Sequence, residues 1–406
     1  MKNQNRKIPK IRLNNSKIDW QQVKFKNLLN SDEGIRRGPF GSALKKELFV
    51  QNSDYVVYEQ QNAIYDHFNT RYRITEEKYH ELKKFMLLPG DFIMSGAGTI
   101  GKISLVPEGI EKGVFNQALI RLRVNKNTDK EFFLQWMRSP EMQNKLTKAN
   151  PASAMVNLVP MSEVKEWDVI VPSFTEQSAI GTLFRTLDGL LESYKDNLAN
   201  YQSLKATMLS KMFPKAGETV PEIRMNGFEG EWETKILSEV TNITMGQSPK
   251  SENYTDNPND YILVQGNADI KDKQVVPRLW TTEVTKMAEI GDIILTVRAP
   301  VGDIGKTDYN VVIGRGVAAI KGNDFIFYTL EKMKMTGFWN RFSTGSTFES
   351  ISSNDIKEAI IQIPTLKEQQ AIGAYFLNLD NLINSHQEKI SQLETLKKKL
   401  LQDMFI

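Results

Sequence analysis

Cysteine is absent from this 406-residue chain. That excludes disulfide staples and thiolate chemistry, and it fits a reducing, cytoplasmic setting. Histidine is scarce. His67, His80 and His386 have no zinc spacing, and His386 falls inside a helical pattern. No stretch approaches the roughly 18 apolar residues of a membrane span. The basic start MKNQNRKIPKIRLNN runs into no apolar segment, so a signal peptide is not expected. An excess of one charge is missing too: 52 basic residues face 49 acidic ones, for a net +3. A nucleic-acid binder usually carries more. Local clusters therefore matter more than the sum: Arg36-Arg37, Lys45-Lys46, Lys145/Lys148 and Lys271/Lys273/Arg278.

Catalytic signatures are also lacking. Gly96-Ala97-Gly98-Thr99-Ile100-Gly101-Lys102 has the frame of a phosphate-binding loop, but Ile103 stands where a magnesium-binding hydroxyl belongs. The stretch from Pro300 to Thr307 has Lys306-Thr307 without the leading glycine. Two half-matches at equivalent places predict a shared β-turn, not a nucleotide site. No nucleophile elbow and no H-E-x-x-H occurs. The chain itself is expected to hold no cofactor, no metal and no catalytic residue.

What the chain does have is a repeated helix. Residues 172–213 align without a gap to residues 364–405, with 16 of 42 positions identical. Apolar residues recur at alternating four and three at Ile180, Phe184, Leu187, Leu191, Tyr194, Leu198 and Tyr201, and again at Ile372, Phe376, Leu379, Ile383, His386, Ile390 and Leu393. That is the seam of a coiled coil. Each seam holds one lysine at the same register, Lys205 and Lys397, which predicts that the two helices pair with each other. Ser173-Phe174-Thr175-Glu176 and Thr365-Leu366-Lys367-Glu368 fit the capping box, and Pro172 and Pro364 bar helix upstream. Roughly 37 residues at 1.5 Å make a rod of about 55 Å. Two such rods related by an internal twofold run antiparallel.

Ahead of each rod lies a segment long enough for a core. The expected organisation is a globular domain over 1–168, a spacer helix over 169–214, a second domain over 215–360 and a closing helix over 361–406. The two domains echo each other faintly: Ile8 to Arg12 with Trp20 matches Val220 to Arg224 with Trp232, and Pro89 to Ile93 matches Ile290 to Ile294. Their offsets change along the chain, so loops of unequal length separate a shared framework. Strand patterns are predicted at 54–58, 91–94, 118–124, 261–265, 292–297 and 317–321, and helical patterns near 130–146 and 325–344. The fold class is α+β: two globular domains separated by two long antiparallel coiled-coil helices, with a pseudo-twofold internal repeat. The spacing gives no strand order.

Taken together, a variable domain, a long helix opening on P-x-x-x-E-Q-x-A-I, a second variable domain and a second such helix resemble the specificity subunits of type I restriction–modification enzymes. The resemblance covers the whole chain. Gly38-Pro39-Phe40-Gly41-Ser42 in the first domain supports it, as do Gly246-Gln247-Ser248-Pro249, the stretch from Gln265 to Asp269, the stretch from Arg298 to Gly302, and Gly314-Arg315-Gly316 in the second. The resemblance implies two target-recognition domains, each reading one half of a split sequence in double-stranded DNA. It implies helices that set the spacing and dock two methyltransferase subunits, which work with restriction subunits. S-adenosylmethionine, ATP and magnesium would then sit on those partners. The N-P-P-aromatic tetrapeptide of adenine methyltransferases is missing here, since Asn150-Pro151 is followed by Ala152 and Asn257-Pro258 by Asn259.

A DNA-reading head places polar forks at base edges and cations on phosphates. Candidates in the first domain are Arg36, Arg37, Lys45 and Lys46, then Arg71 and Arg73. In the second they are Lys250, Arg278, Arg298 and Arg315, with Gln265 and Asn267 as amide readers. Arg298 and Arg315 could equally brace turns. Two rivals stand beside this reading: a coiled-coil scaffold whose globular ends bind peptides, and a self-sufficient nuclease or methyltransferase.

Overall fold

A computed structural model describes residues 9–13, 19–96, 99–148, 160–342 and 350–405. Ala97-Gly98 and Asn150-Pro151-Ala152 lie outside that set. The chain divides into two compact units, Met1–Lys195 with Lys389–Ile406, and Asp196–Glu388.

Among the described residues the first unit contains strands β1 (Gln21–Lys24), β2 (Ile35–Arg37), β3 (Tyr55–Tyr58), β4 (Tyr72–Ile74), β5 (Phe92–Ser95), β6 (Ile103–Leu105), β7 (Gly113–Phe115), β8 (Leu119–Leu122) and β9 (Asp168–Val171). Its short helices are α1 (Gln60–Tyr65), α2 (Glu76–Glu81), α3 (Lys130–Arg138), α4 (Pro140–Lys148) and α5 (Met161–Lys165), and the long α6 (Phe174–Lys211) leaves it for the second unit. There the strands are β10 (Glu233–Ile236), β11 (Ile243–Met245), β12 (Tyr254–Thr255), β13 (Tyr261–Val264), β14 (Ile270–Lys271), β15 (Gln274–Val275), β16 (Trp280–Thr281), β17 (Met287–Ala288), β18 (Ile293–Thr296), β19 (Ile304–Lys306), β20 (Val311–Ile313), β21 (Val317–Ile320) and β22 (Ile360–Ile363). Helices α7 (Leu237–Val240), α8 (Asp324–Met335) and α9 (Ser353–Lys357) accompany them, and α10 (Leu366–Asp403) returns to the first unit.

The two units share a common sheet framework, which the second extends with β14, β15, β12 and β17. Sheets run β2-β8-β5-β6 and β4-β3-β7 in the first, and β11-β21-β18-β19-β15-β14 and β12-β16-β13-β20-β17 in the second. Both units have a parallel strand pair at the same place, Tyr58 beside Phe115 and Val264 beside Ile313, and the second adds another between β15 and β19. Both tie their start to the foot of the long helix through an antiparallel ribbon, β1 with β9 and β10 with β22. The central strands β5 and β18 are buried along their whole length, and alternate residues serve different cores. Phe92 and Met94 face the cluster that includes α6 residues, whereas Ile93 faces a smaller one. Ile293, Leu295 and Ile294 divide in the same way in the second unit.

Two helical expectations need correction. The pattern near 130–146 is two helices, because Ser139-Pro140 breaks it: the residue before a proline is pushed out of helical space, and Ser139 sits at ψ 149. The pattern near 325–344 ends at Met335, where Gly337 takes a positive φ of 68° and a 3-10 turn, Phe338–Phe342, follows. The described residues of the phosphate-loop look-alikes fall between antiparallel β5 and β6, and between antiparallel β18 and β19. Gly101 and Gly302 supply the positive φ (78° and 86°) that closes each turn. A phosphate loop would instead run from a strand into a helix.

Within each unit the two long helices run antiparallel. In the first, Asp188 meets Lys397 at 2.5 Å, Lys195 meets Glu394 at 2.7 Å, and the Phe184 and Phe405 rings stack at 5.8 Å. In the second, Lys205 meets Asp380 at 2.6 Å, Tyr201 packs on His386 at 5.1 Å, and Phe213 lies 5.9 Å from Phe376. Seam residues divide by depth. Ile180, Phe184 and Leu187 belong to the first unit's core, together with Leu393 and Leu400 at its margin. Ile372, Phe376 and Leu379 belong to the second unit's core. Leu191 and Ile383 are buried, while Tyr194, Leu198 and Ile390 are half-buried.

Lys205 does more than mark a register. Its ammonium also reaches Glu331 at 2.9 Å, and Lys273 joins the same two carboxylates, with Tyr328 donating to Asp380 at 2.9 Å. Burial pulls the Lys205 pKa down, and burial alone would raise that of Asp380. The ammonium groups of Lys273 and Lys205 outweigh it and hold the Asp380 carboxyl below the usual aspartate range.

The motif E-Q at each helix start acquires a physical role. Ser173 and Thr365 cap their helices by accepting from the Glu176 and Glu368 amides, both at 3.4 Å. The reciprocal half expected of a capping box is replaced. Glu176 takes Arg12 in a two-pronged pair (2.9 and 2.6 Å), and Glu368 takes Arg224 (2.8 and 2.8 Å). Gln177 and Gln369 donate to the carbonyls of Pro172 and Pro364 at 3.0 and 2.9 Å. Their other amide atoms hold the Asp129 amide and Asn323 at the starts of α3 and α8.

Candidate nucleic-acid interface

In the second unit, the loops that follow β11, β13, β18 and β20 converge on one open cleft of about 730 Å³. Parallel pairing of β13 with β20 brings their C-terminal ends side by side. Lys250, Gln265, Asn267, Arg298 and Arg315 all line this cleft, five of the six second-domain residues singled out from the sequence. Its remaining lining includes Ser248 and Tyr254 and, among the described residues, contains no acidic side chain. Lys250, Asn267, Arg298 and Arg315 are exposed. The Lys250 ammonium lies 3.8 Å from Glu252 on the open surface, and its backbone amide donates to the Glu283 carboxylate at 2.8 Å.

Local backbone geometry explains why these residues sit where they do. Gly246 donates to the Val317 carbonyl at 3.0 Å, and a Cβ there would fall 2.1 Å from the Gly314 carbonyl oxygen. Only glycine permits that approach. It lays the 246–249 loop on the turn carrying Arg315, whose amide donates to Ser248 Oγ at 3.1 Å. The Asp269 carboxylate accepts from the Gln265 and Gly266 amides at 2.8 and 3.1 Å and fixes the loop after β13. Gln265 donates to the Tyr254 hydroxyl at 2.6 Å. Ser248 and Tyr254 therefore position the site, and no spacing in the sequence announces either.

Arg278 stands apart from the cleft, donating to the Ala268 carbonyl at 2.8 Å beside Asp269. Lys273, from the same sequence cluster, is taken up in the Asp380–Glu331 network.

The first unit's candidates are scattered. Arg71 pairs with Glu59 at 2.9 Å and lies over the Tyr72 ring, and Arg73 pairs with Glu111 at 2.8 Å. Arg36 is half-buried on β2 opposite Arg121, with its Nε enclosed and unpartnered among the described residues. Arg121 is itself buried, which pulls its pKa down, and it reaches the Met86 carbonyl at 3.0 Å. Arg37, Lys45 and Lys46 are exposed around the Gly38–Ser42 loop. Among the described residues no group of histidines and acids is placed to hold a metal ion, and no helix is long and apolar enough to cross a membrane.

A repeated sheet framework and an antiparallel helix pair inside each unit define an internally duplicated two-domain architecture, to which the second unit adds a basic cleft at strand ends. The chain belongs to the family described as type I restriction modification DNA specificity domain, whose sequence model matches residues 17–200 and 229–395. It is similar to a Methanocaldococcus jannaschii protein named for the MjaX type I restriction enzyme specificity subunit, 26% identical over 343 residues, which cover 81% of this chain and 80% of that one. The MjaVIII specificity subunit of the same organism is 19% identical, over 85% of this chain and 86% of its own length. In fold it is similar to the type I restriction-modification S subunit of M. genitalium, with a TM-score of 0.64 at 17% identity, covering 98% and 99% of the two chains. A chain from a type I R-M assembly superposes with a TM-score of 0.55 at 23% identity, covering 94% and 96%. The protein is thus a DNA target-recognition component of a multisubunit system and not its catalytic part.

Proposed function

We propose that each unit reads one half of a split target in double-stranded DNA, and that α6 and α10 set the distance between the halves. The observation that carries this is the second-unit cleft, where two arginines, a lysine and two amides converge and no described acidic side chain lines the wall. Arginine forks suit guanine edges and amides suit adenine edges in the major groove, while Lys250 suits phosphate. In this reading the domains span 1–168 and 215–360 and the spacers 169–214 and 361–406. In the first unit, Arg37, Lys45 and Lys46 supply backbone contacts.

The helices also supply docking surfaces. Leu190 and Leu382 hold equivalent positions in the repeat, as do Leu204 and Leu396, and all four are exposed. Inside the first unit the Asp188–Lys397 and Lys195–Glu394 pairs put Leu190 and Leu396 at one level of the helix pair. Two equal apolar sites suit two methyltransferase subunits, which would carry S-adenosylmethionine. ATP and magnesium would belong to restriction subunits, all acting in the cytoplasm.

The test is methylome sequencing of a host that carries this chain and its methyltransferase partner. Arg298→Ala or Arg315→Ala should relax one position of one half-site and leave the other half-site intact. A split motif that neither substitution alters would refute the reading.

A further inference from the structure

The loop and turn that wall the second unit's cleft have counterparts in the first unit that the basic clusters do not mark. Gly38 donates to the Leu119 carbonyl at 2.9 Å as Gly246 does to Val317, and a Cβ at Gly38 would fall 1.9 Å from the Asn116 carbonyl oxygen. Strand register confirms the match: Arg37 lies opposite Ile120, and Met245 lies opposite Ala318. The 38–42 loop therefore lies on the 116–118 turn as the 246–250 loop lies on the 314–316 turn. By this superposition Gln117 occupies the place of Arg315, and Phe40 the place of Ser248.

Both residues have the exposure a contact needs. Phe40 is 90% exposed, held between a buried Pro39 and a 3-10 turn, Gly41–Leu44. Gln117 is exposed too, and its Nε2 lies 4.0 Å from the Cβ position of Gly41. So the amide and the ring flank the same short loop. Arg37, Lys45 and Lys46, exposed along the same segment, make no ion pair among the described residues.

We infer that Gln117 and Phe40 form the base-reading pair of the first unit, and that the pair selects A·T: the Gln117 amide forks onto adenine and the Phe40 ring packs on a thymine methyl. An amide offers the donor and acceptor that the N7 and N6 atoms of adenine require, and apolar side chains suit the C5-methyl of thymine. Where the second unit presents Ser248 and Arg315, a guanine is favoured instead. The inference rests on the two-headed DNA reading and adds to it which residues of the first head face bases.

The experiment selects binding sites from randomised duplexes with the full chain in complex with its methyltransferase subunit, comparing wild type with Gln117→Ala, Gln117→Arg, Phe40→Ala and Arg315→Ala. Thermal melting of each variant checks that it is folded. Gln117→Ala should relax one adenine position of one half-site by about 5- to 150-fold, and Gln117→Arg should move that position toward guanine. Replacing thymine by deoxyuridine in that half-site should weaken wild type but not Phe40→Ala. If Arg315→Ala alters its half-site while the Gln117 and Phe40 variants leave the other unchanged, the assignment is overturned and the two-headed reading survives. If no variant changes any position, both fall together.

Discussion

Lys205 on α6 and Asp380 on α10 meet at 2.6 Å, and their repeat mates Lys397 and Asp188 meet at 2.5 Å in the other unit. All four are identical positions of the duplicated helix. One sequence unit thus supplies both halves of a lysine–aspartate bond, and each helix satisfies the other. The surroundings have diverged. Tyr328, Lys273 and Glu331 enclose Asp380, whereas Asp188 has Gln135 at 3.0 Å.

That divergence predicts unequal costs. Asp380→Asn leaves the buried Lys205 ammonium and the half-buried Lys273 ammonium sharing Glu331 and should destabilise the second unit by about 3 kcal/mol. Asp188→Asn acts on a pair whose side chains keep 36% and 21% exposure and should cost at most about 1 kcal/mol. Denaturant melts of both variants check the order; equal costs would contradict it.

Acid should act through the same group. The folded-state pKa of Asp380 is lowered, so its stabilising contribution is complete above the ordinary aspartate value, near 4, and is lost as pH falls through the lower folded value. Stability measured from pH 6 down to pH 2 should therefore fall less steeply in Asp380→Asn than in wild type.

Arg12–Glu176 and Arg224–Glu368 fasten the strand-ribbon segment of each unit to the first turn of its long helix. Glu176→Gln should cost about 2 kcal/mol, the usual worth of a hydrogen bond to a charged group. It should leave the recognition sequence unchanged, because Glu176 lies at the root of the helix. A changed methylation motif would show that the pair does more than fasten.

Partner docking should respond to the exposed leucines. Leu190→Glu with Leu396→Glu should abolish one methyltransferase site and leave DNA binding by the isolated chain intact. Mass measurement of the complex should then show one bound methyltransferase instead of two.

Matched four-residue insertions after Ala199 and Ser391 lengthen both helices by about 6 Å. At 3.4 Å per base pair, the spacer of the target should grow by one to two base pairs with both half-sites unchanged, less whatever local unwinding absorbs. A stable, active variant with its spacer unaltered would remove the helices as the determinant of distance.

Local chemistry determined much of this protein from the sequence by itself. Duplication, helix starts, the lysine register and the buried strands are properties of spacing along the chain, where periodicity and turn residues act within a few positions. Five second-domain candidates also came together in one cleft, because the glycines and polar residues around them share a few loops. What only tertiary structure decided depends on residues far apart in sequence. Glu176 looked like half of a capping box, yet its carboxylate faces Arg12, 164 positions away. The partners of Arg71 and Arg73, Glu59 and Glu111, lie 12 and 38 positions away and were not legible from the basic residues themselves. Gln117, a single neutral amide in a turn, carries no signal of its own. Loops of unequal length shift the offset between the halves from 192 to 212, so equivalence across the repeat is visible only where hydrogen bonds and strand register fix each residue in space.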